Sequence, residues 1–213
     1  PTSGCEFVTS RHFPDEAQGL FLLNNTIGVQ GVLQHTVKAA GSGFEGREIE
    51  PLLLSDDPNF RPVDMEFGPD GALYLTDWQE ALIGHMQYSI RDPLRDRAHA
   101  RIWRITYPSR PLVPLVRIAG EPIERLLEVL KLPEQRTRIR AKQELATRPA
   151  ATVMAAVDRW IAPLDAASVD TQNQFTEALW IYQWLDTVNL KLLAQQLRSP
   201  EPMARAAATR VLC

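Results

Sequence analysis

Cysteine is scarce in this chain, which has only Cys5 and Cys213, near opposite ends of its 213 residues. Their spacing gives no support for a disulfide. No CxxC pair occurs, which excludes a zinc ribbon and a c-type haem attachment motif within the chain. No apolar run approaches the roughly 20 residues of a membrane-spanning helix. The zinc-binding motif HExxH is absent as well, so the sequence contains none of these metal-binding motifs.

Targeting signals are also missing. The chain begins at Pro1 without Met or a signal peptide, and it stops inside a helical pattern. We therefore expect a fragment of a longer protein, cut at both ends, whose compartment cannot be read from such signals.

Charge is divided unevenly along the chain, whose net charge is −3. Residues 1–107 carry 9 Lys/Arg against 15 Asp/Glu, whereas residues 108–213 carry 14 against 11. This asymmetry indicates two units of different character. The overall charge favours no nucleic acid, and the arginines near residue 100 alternate with aspartates that repel phosphates. We therefore expect no nucleic-acid partner.

Residues 1–107 show a β pattern of short apolar runs broken by Gly, Pro, Asn and Asp. In residues 63–67, Val, Met and Phe alternate with Asp and Glu, and the turn 68–71 (GPDG) leads to a partner strand. The predicted strands are 20–23, 32–37, 49–54, 63–67, 72–78 and 101–107. Strand, turn, strand, long insertion and strand is typical of a β-propeller blade. A β-sandwich is the generic alternative.

Residues 108–119 are rich in proline and predict an extended linker, after which the apolar period becomes helical. Helical spacing marks residues 123–130, 153–161 and 190–197. Residues 130–146 align without a gap with residues 197–213, at an offset of 67. Such a repeat favours HEAT-like helical repeats over 120–213, with an extra helix near 175–185. The alternative is an irregular helical bundle.

Residues 85–104 form a charge-rich stretch, with five arginines, two aspartates and two histidines in twenty residues. Arg91-Asp92 and Arg95-Asp96 are two Arg-Asp units four residues apart, and Arg101 and Arg104 follow on a predicted strand. Guanidinium groups suit a planar anionic ligand, yet the same aspartates can neutralise them in a structural ion-pair network. The residues themselves leave both alternatives open.

Other candidate residues lie around this stretch. Asp77, at a strand end, can face a central cavity, bind a cation or cap a turn. Asp64, inside a strand, is costly to bury unless it pairs with Arg61 or an arginine of residues 85–104. His85 and His99 can act as a general base or ligand, although a lone histidine is more often structural. Residues 56–59 (DDPN) lack the spaced oxygen ligands of a calcium loop and predict a turn.

A family resemblance is carried by PNFRPVDMEFGPDGALYLTDW (58–78) and IGHMQYSIRDPLRDRAHARIWRITY (83–107). These segments closely resemble bacterial membrane-bound dehydrogenases, or haem-binding-domain propeller proteins. That family is similar to glucose/sorbosone dehydrogenases, whose propeller binds pyrroloquinoline quinone (PQQ). Residues 11–37 fit as well, as does the second copy of the helical repeat. The resemblance covers essentially the whole chain.

The resemblance implies the last blades of a β-propeller over 1–107, then HEAT-like repeats, then a c-type cytochrome domain outside this chain. It implies oxidation of an alcohol or sugar with PQQ and calcium, transfer of electrons to haem c, and location in the periplasm or cell envelope. A protein partner could dock on the helical repeats. The fragment alone would be inactive. The rival functions are a non-catalytic binding scaffold and, more weakly, a lactonase-like hydrolase.

The resemblance also implies site residues. Asp77, Arg91, Arg95 and Arg101 would bind the cofactor or line its cavity, and His85 is a weak candidate for the catalytic base. Asp64, Asp92 and Asp96 are expected in structural ion pairs. The chain departs from the family pattern at Ala100 (usually Gly), at residues 79–80 (Gln-Glu for His-Asn) and at Tyr88 (often His). These departures weaken a metal site but leave the arginines in place.

Overall fold

The computed structural model describes residues 2–83, 89 and 91–213, which form two compact units, 1–115 and 116–213. The boundary falls inside the segment predicted as a linker, 108–119. The first unit is β and the second is helical, so the predicted order of β followed by α is confirmed. Among the described residues, no helix combines the length and the apolar character needed to cross a membrane.

The described residues of the β unit form two antiparallel sheets. One has four strands in the order β1-β2-β3-β4, and the other has three in the order β5-β6-β7. The strands are β1 (Thr2–Phe7), β2 (Phe21–Asn25), β3 (Gly31–Ala40), β4 (Gly43–Leu54), β5 (Pro62–Phe67), β6 (Leu73–Asp77) and β7 (Arg101–Ile105). Six of them match predicted strands. The polar segment that forms β1 carried no alternating signal and was not predicted.

The alternation predicted for β5 is confirmed, because Met65 and Phe67 are buried while Asp64 and Glu66 are exposed. Met65 and Phe67 join an apolar core formed by both sheets, with Leu22, Val32, Leu73 and Leu75. β1 lies against β5 so closely that a Cβ on Gly4 would approach Asp64 Cα to 2.7 Å. The first strands of the two sheets are therefore immediate neighbours.

The predicted GPDG turn joins β5 to β6. Gly68 N–H donates to the Ala72 carbonyl at 2.8 Å, and Asp70 Oδ1 accepts from Ala72 N–H at 3.1 Å. Gly71 has a φ of 81°, which glycine tolerates best, and a Cβ there would meet Val113 Cγ2 at 2.6 Å. Val113 N–H donates to the Asp70 carbonyl, so the chain after β7 packs back onto this turn.

The helical unit has six α-helices around one apolar core. They are α1 (Ile123–Val129), α2 (Gln135–Ala146), α3 (Ala150–Ile161), α4 (Gln172–Trp184), α5 (Leu190–Gln196) and α6 (Pro202–Leu212). The predicted helical period is confirmed in α1 and α3, where Leu126 and Val153 are buried. In α5 it is largely wrong, because only Leu193 of the predicted positions is buried while Leu190 is 74% exposed. The extra helix expected near 175–185 is α4.

The two copies of the sequence repeat also form the same local structure. Arg138 Nη1 in α2 donates to the carbonyls of residues 132 and 133, both at 2.7 Å. Arg205 Nη1 in α6 donates to the equivalent carbonyls of residues 199 and 200, at 2.7 and 3.2 Å. Each copy therefore begins its helix with an arginine that folds back over the preceding turn.

Candidate functional site at one end of the β unit

The candidate site lies where three loops meet at one end of both sheets. These loops are residues 26–30 between β2 and β3, 55–61 between β4 and β5, and 78–100 between β6 and β7. Gln30 Nε2 donates to the carbonyls of Asp57 and Phe60, at 3.0 and 3.1 Å. These bonds join the loop 26–30 of the first sheet to the loop 55–61, which leads into the second sheet. The ends of the two sheets therefore form one continuous surface.

Asp77, the last residue of β6, lies at the centre of this end and its side chain is fully buried. Oδ1 accepts from the backbone N–H groups of Arg61 and Gln79, at 2.8 and 2.9 Å. Oδ2 accepts from Arg101 Nε at 2.7 Å and from Trp103 Nε1 at 2.9 Å. Four donors therefore saturate the carboxylate, and it has no accepting position left for a ligand or a metal.

The environment keeps Asp77 ionised. Burial is the largest influence and raises the pKa of the carboxyl, but four hydrogen-bond donors together outweigh it and leave the pKa below its usual value. The pKa of Arg101 is shifted as well. Burial of the guanidinium lowers this pKa, but the hydrogen bonds from Arg101 to Asp57 and Asp77 outweigh burial and raise the pKa above its ordinary value. The pair is therefore charged at neutral pH.

Arg101, the first residue of β7, joins two carboxylates. Its Nη1 donates to Asp57 Oδ2 at 2.8 Å, in addition to the Nε bond to Asp77. Its guanidinium carbon lies 5.3 Å from the centroid of the Trp103 ring, within the range of a cation–π contact. The Nη2 atom is buried, and no described residue accepts a hydrogen bond from it. It is the one nitrogen of this guanidinium without a partner in the described part of the chain.

Arg61 is a structural clamp, although the sequence suggested it only as a partner for Asp64. It is buried and donates to the carbonyls of Glu80, Thr26 and Ala81, at 2.8, 2.7 and 3.2 Å. These bonds connect the loops of both sheets. Asp64 faces solvent and its Oδ1 accepts from Met65 N–H, so the expected ion pair with Arg61 is not formed.

The loop 78–100 is held by Arg95, which binds differently from the expected pairing with Asp96. Arg95 Nη1 lies 3.7 Å from Glu80 Oε2 and donates to the Leu82 carbonyl at 2.8 Å, while Nε donates to the Ser89 carbonyl. Glu80 is 2% exposed, so this pair is shielded from solvent. Arg95 therefore fastens the loop beside the Asp77 cluster and points to a structural role.

The remaining predicted residues occupy the outer part of the same loop. Asp96 accepts from Gln79 Nε2 at 3.3 Å and from the ring and backbone of His99. Asp92 Oδ1 accepts from Leu94 N–H, which closes a turn, and Arg91 is exposed. The weak candidate base, His85, lies outside the described residues. Arg101 and Asp77 converge, whereas Arg91 lies at the surface.

Three contributors to the cluster were not identified from the sequence as site residues. Asp57 was interpreted only as part of a turn, and it does form one, since its Oδ1 accepts from Asn59 N–H at 2.8 Å. Its other oxygen binds Arg101. Trp103 and Glu80 were likewise unassigned. Trp103 is the central residue of β7 and Glu80 lies in the loop after β6, and no sequence signal marked either of them.

The geometry allows a test of whether the site fits PQQ and calcium. PQQ carries several carboxylates, and Arg101 Nη2 offers one buried donor for such a group, next to the flat face of Trp103. Asp77 and Arg61 do not fit, because their hydrogen-bonding groups are used within the protein. The described residues contain no group of three His, Cys, Asp or Glu side chains that could hold a metal ion. The fit is therefore limited to one anionic group at Arg101.

Comparison with known proteins places this end of the β unit within a recognised family. The family model described as Domain of unknown function (DUF7133) matches residues 1–109, which is half of the chain and contains the whole Asp77 cluster. No curated protein and no solved structure matches the chain.

Proposed function

Because this chain belongs to the family described as Domain of unknown function (DUF7133), we propose a function from the geometry of its β unit. The unit forms consecutive blades of a β-propeller in a quinoprotein-type dehydrogenase. The full protein oxidises an alcohol or a sugar and passes electrons to a c-type haem domain outside this chain. It is exported to the periplasm or cell envelope, as the resemblance to membrane-bound dehydrogenases implies.

Two features of the sheets support the propeller. The first sheet is a four-stranded meander in which each strand pairs with its neighbour in sequence, as in a blade. The first strands of the two sheets, β1 and β5, meet at Gly4, as the innermost strands of adjacent blades do. Loops from both sheets then converge at one end, which is where propellers commonly bind ligands.

The unused donor on Arg101 is the observation that carries the catalytic proposal. A buried N–H without an acceptor costs about 1–3 kcal/mol, and an anionic oxygen placed there would remove this cost. Arg101 would hold one carboxylate of PQQ, and Trp103 would offer a flat contact surface. PQQ, when bound, would supply the hydride acceptor. Asp77 and Asp57 keep the guanidinium in position and charged.

A matched pair of variants tests this role in the full-length protein. Arg101→Lys keeps a positive charge but removes Nη2, together with the Nε and Nη1 groups that bind Asp77 and Asp57. Arg104→Lys is the matched control, because it changes an arginine that pairs with Asp70 at the opposite end of the sheet. We expect Arg101→Lys to weaken PQQ binding about tenfold, which corresponds to the loss of one charge-assisted hydrogen bond. Arg104→Lys should bind like the wild type. Tryptophan fluorescence measures binding, and circular dichroism checks folding.

Activity provides the second measurement. With PQQ and calcium added, the full-length protein should reduce a redox dye with at least one member of an alcohol and sugar panel. A haem-loaded protein with no quinone binding and no dye reduction would contradict the proposal.

A non-catalytic binding scaffold is the second candidate function, and the saturation of Asp77 favours it. The four donors on this carboxylate and the backbone bonds of Arg61 use most of the cluster for structure. In this case residues 120–213 are HEAT-like repeats that offer a docking surface to a protein partner. The matching arginine contacts of α2 and α6 support the repeat. Equal PQQ binding by wild type and Arg101→Lys would favour the scaffold.

A further inference from the structure

We propose that an open pocket between α3, α4 and α5 binds one apolar residue of an extended peptide from a partner protein. The pocket encloses about 450 Å³ and lies entirely within the helical unit. The proposal does not depend on the function of the β unit, because none of its residues belongs to residues 1–115.

Part of the pocket's lining is apolar, and we call this part its floor. It is formed by four side chains, Ile161, Leu164, Phe175 and Leu192. Phe175 and Leu192 are each 3% exposed and belong to the core of the unit, so the floor is continuous with a rigid interior. An aliphatic side chain placed on this floor would remove apolar surface from water, which is favourable.

A single buried amide on the pocket wall lacks a partner. Gln195 Nε2 is buried and makes no hydrogen bond to any residue that the structure describes. The next residue shows the contrast, since Gln196 Nε2 donates to Gln172 Oε1 at 3.2 Å. Gln172 Nε2 in turn donates to two backbone carbonyls, at 2.8 and 3.0 Å. Because the unit satisfies these other buried amides, the unpaired donor of Gln195 points to an acceptor supplied from outside.

The charges at the pocket identify the kind of ligand. Asp158 lines one side, with Oδ1 accepting from Tyr182 Oη at 2.7 Å, and no described residue donates to Oδ2. Lys191 contributes the opposite charge. One carboxylate and one ammonium carry no net charge together, so they favour a ligand without net charge that offers both a donor and an acceptor. A peptide group has this chemistry: its carbonyl can accept from Gln195 Nε2 and its N–H can donate to Asp158.

A blocked single residue provides a direct probe. We would titrate N-acetyl-leucine N′-methylamide into the ¹⁵N-labelled chain and follow the side-chain amide signals of Gln195 by NMR. We expect a saturable shift of these signals. The glycine analogue, which lacks the aliphatic side chain, should bind more weakly because it leaves the apolar floor uncovered.

Two variants and one matched control separate a specific contact from a change in folding. Gln195→Met removes the donor while keeping the size of the side chain, and Gln195→Glu replaces the donor with an acceptor. Each should weaken binding about fivefold or more, as expected for one lost hydrogen bond. The shift is then followed at the Phe175 backbone amide. Gln183→Glu changes an exposed glutamine of α4 outside the pocket and should leave binding unchanged.

The proposal is overturned if the Gln195 signals do not move up to the solubility limit of the blocked leucine. It is also overturned if free leucine produces the shift and the blocked residue does not, because the pocket would then bind an amino acid through its charged termini. Equal binding by wild type and Gln195→Met would likewise rule out the carbonyl contact.

Discussion

Replacing Asp77 with Asn tests whether the carboxylate cluster holds the end of the β unit together. The amide keeps the size of the side chain, and its oxygen can still accept from the N–H groups of Arg61 and Gln79. Its NH₂ group, however, would face Arg101 Nε and Trp103 Nε1, which are both donors. Two hydrogen bonds are lost, and Arg101 loses its fully buried partner.

The expected cost follows from the burial of the two partners. Removing one member of a buried ion pair typically costs about 3–5 kcal/mol. Arg101 is 27% exposed on its side chain and keeps its bond to Asp57, which reduces the penalty. We therefore expect Asp77→Asn to lower the free energy of unfolding of the β unit by about 2–3 kcal/mol at pH 7.

The sign of the pH dependence follows from the lowered pKa of Asp77. The stabilisation is fully present above the unfolded pKa, about 3.9, and is lost as the pH falls through the lower pKa of the folded state. The difference between wild type and Asp77→Asn should therefore be constant from pH 5 to 7 and shrink below about pH 4. Urea unfolding followed through the indole N–H signal of Trp103 measures the β unit alone.

The control is Asp64→Asn, which changes an exposed carboxylate on the neighbouring strand β5. It should alter the free energy of unfolding by no more than about 0.5 kcal/mol. A loss below this value for Asp77→Asn at pH 7, or a loss that persists undiminished in acid, would refute the reasoning.

Two further buried groups provide independent predictions. His12→Ala should lower the free energy of unfolding of the β unit by about 2–4 kcal/mol, because the ring is 2% exposed and bonds backbone groups in residues 107–111 at 2.9 and 3.0 Å; unchanged urea unfolding would contradict this. Glu177→Gln should lower the stability of the helical unit by about 2–3 kcal/mol, because it removes the shared anion of Arg138 and Lys142, at 3.0 and 2.6 Å. Circular dichroism at 222 nm measures this loss, and an unaltered melting temperature would show that the ion pairs contribute nothing.

Local sequence signals predicted most of the secondary structure. The two-residue period of 63–67 and the GPDG turn each act within a few residues, and both appear where expected. The same holds for the helices, whose apolar spacing and repeated Pro-Glu starts are local features. β1 escaped prediction because it is a polar, largely exposed strand, and its contact with β5 joins residues about sixty positions apart in sequence.

The charged stretch 85–104 shows what the sequence left open. The sequence showed that Arg-Asp units were present, but it did not show which residue each arginine and each aspartate would contact. Arg95 pairs with Glu80, and Asp96 contacts Gln79 and His99. These contacts join residues up to 17 positions apart, so nearest neighbours in sequence were a poor guide to them.

The sequence by itself determined two units, their β and helical character, and the placement of strands and helices, because these follow from periodicity and turn chemistry over short distances. Only the tertiary structure decided that Asp57, Asp77 and Arg101 meet. These residues are 20 and 24 positions apart along the chain, and they converge because antiparallel pairing brings the end of β6 beside the start of β7. The same packing gives the Asp77 carboxylate four hydrogen-bond donors and leaves Arg101 Nη2 without an acceptor among the described residues. The number of charged residues in the sequence could reveal neither feature.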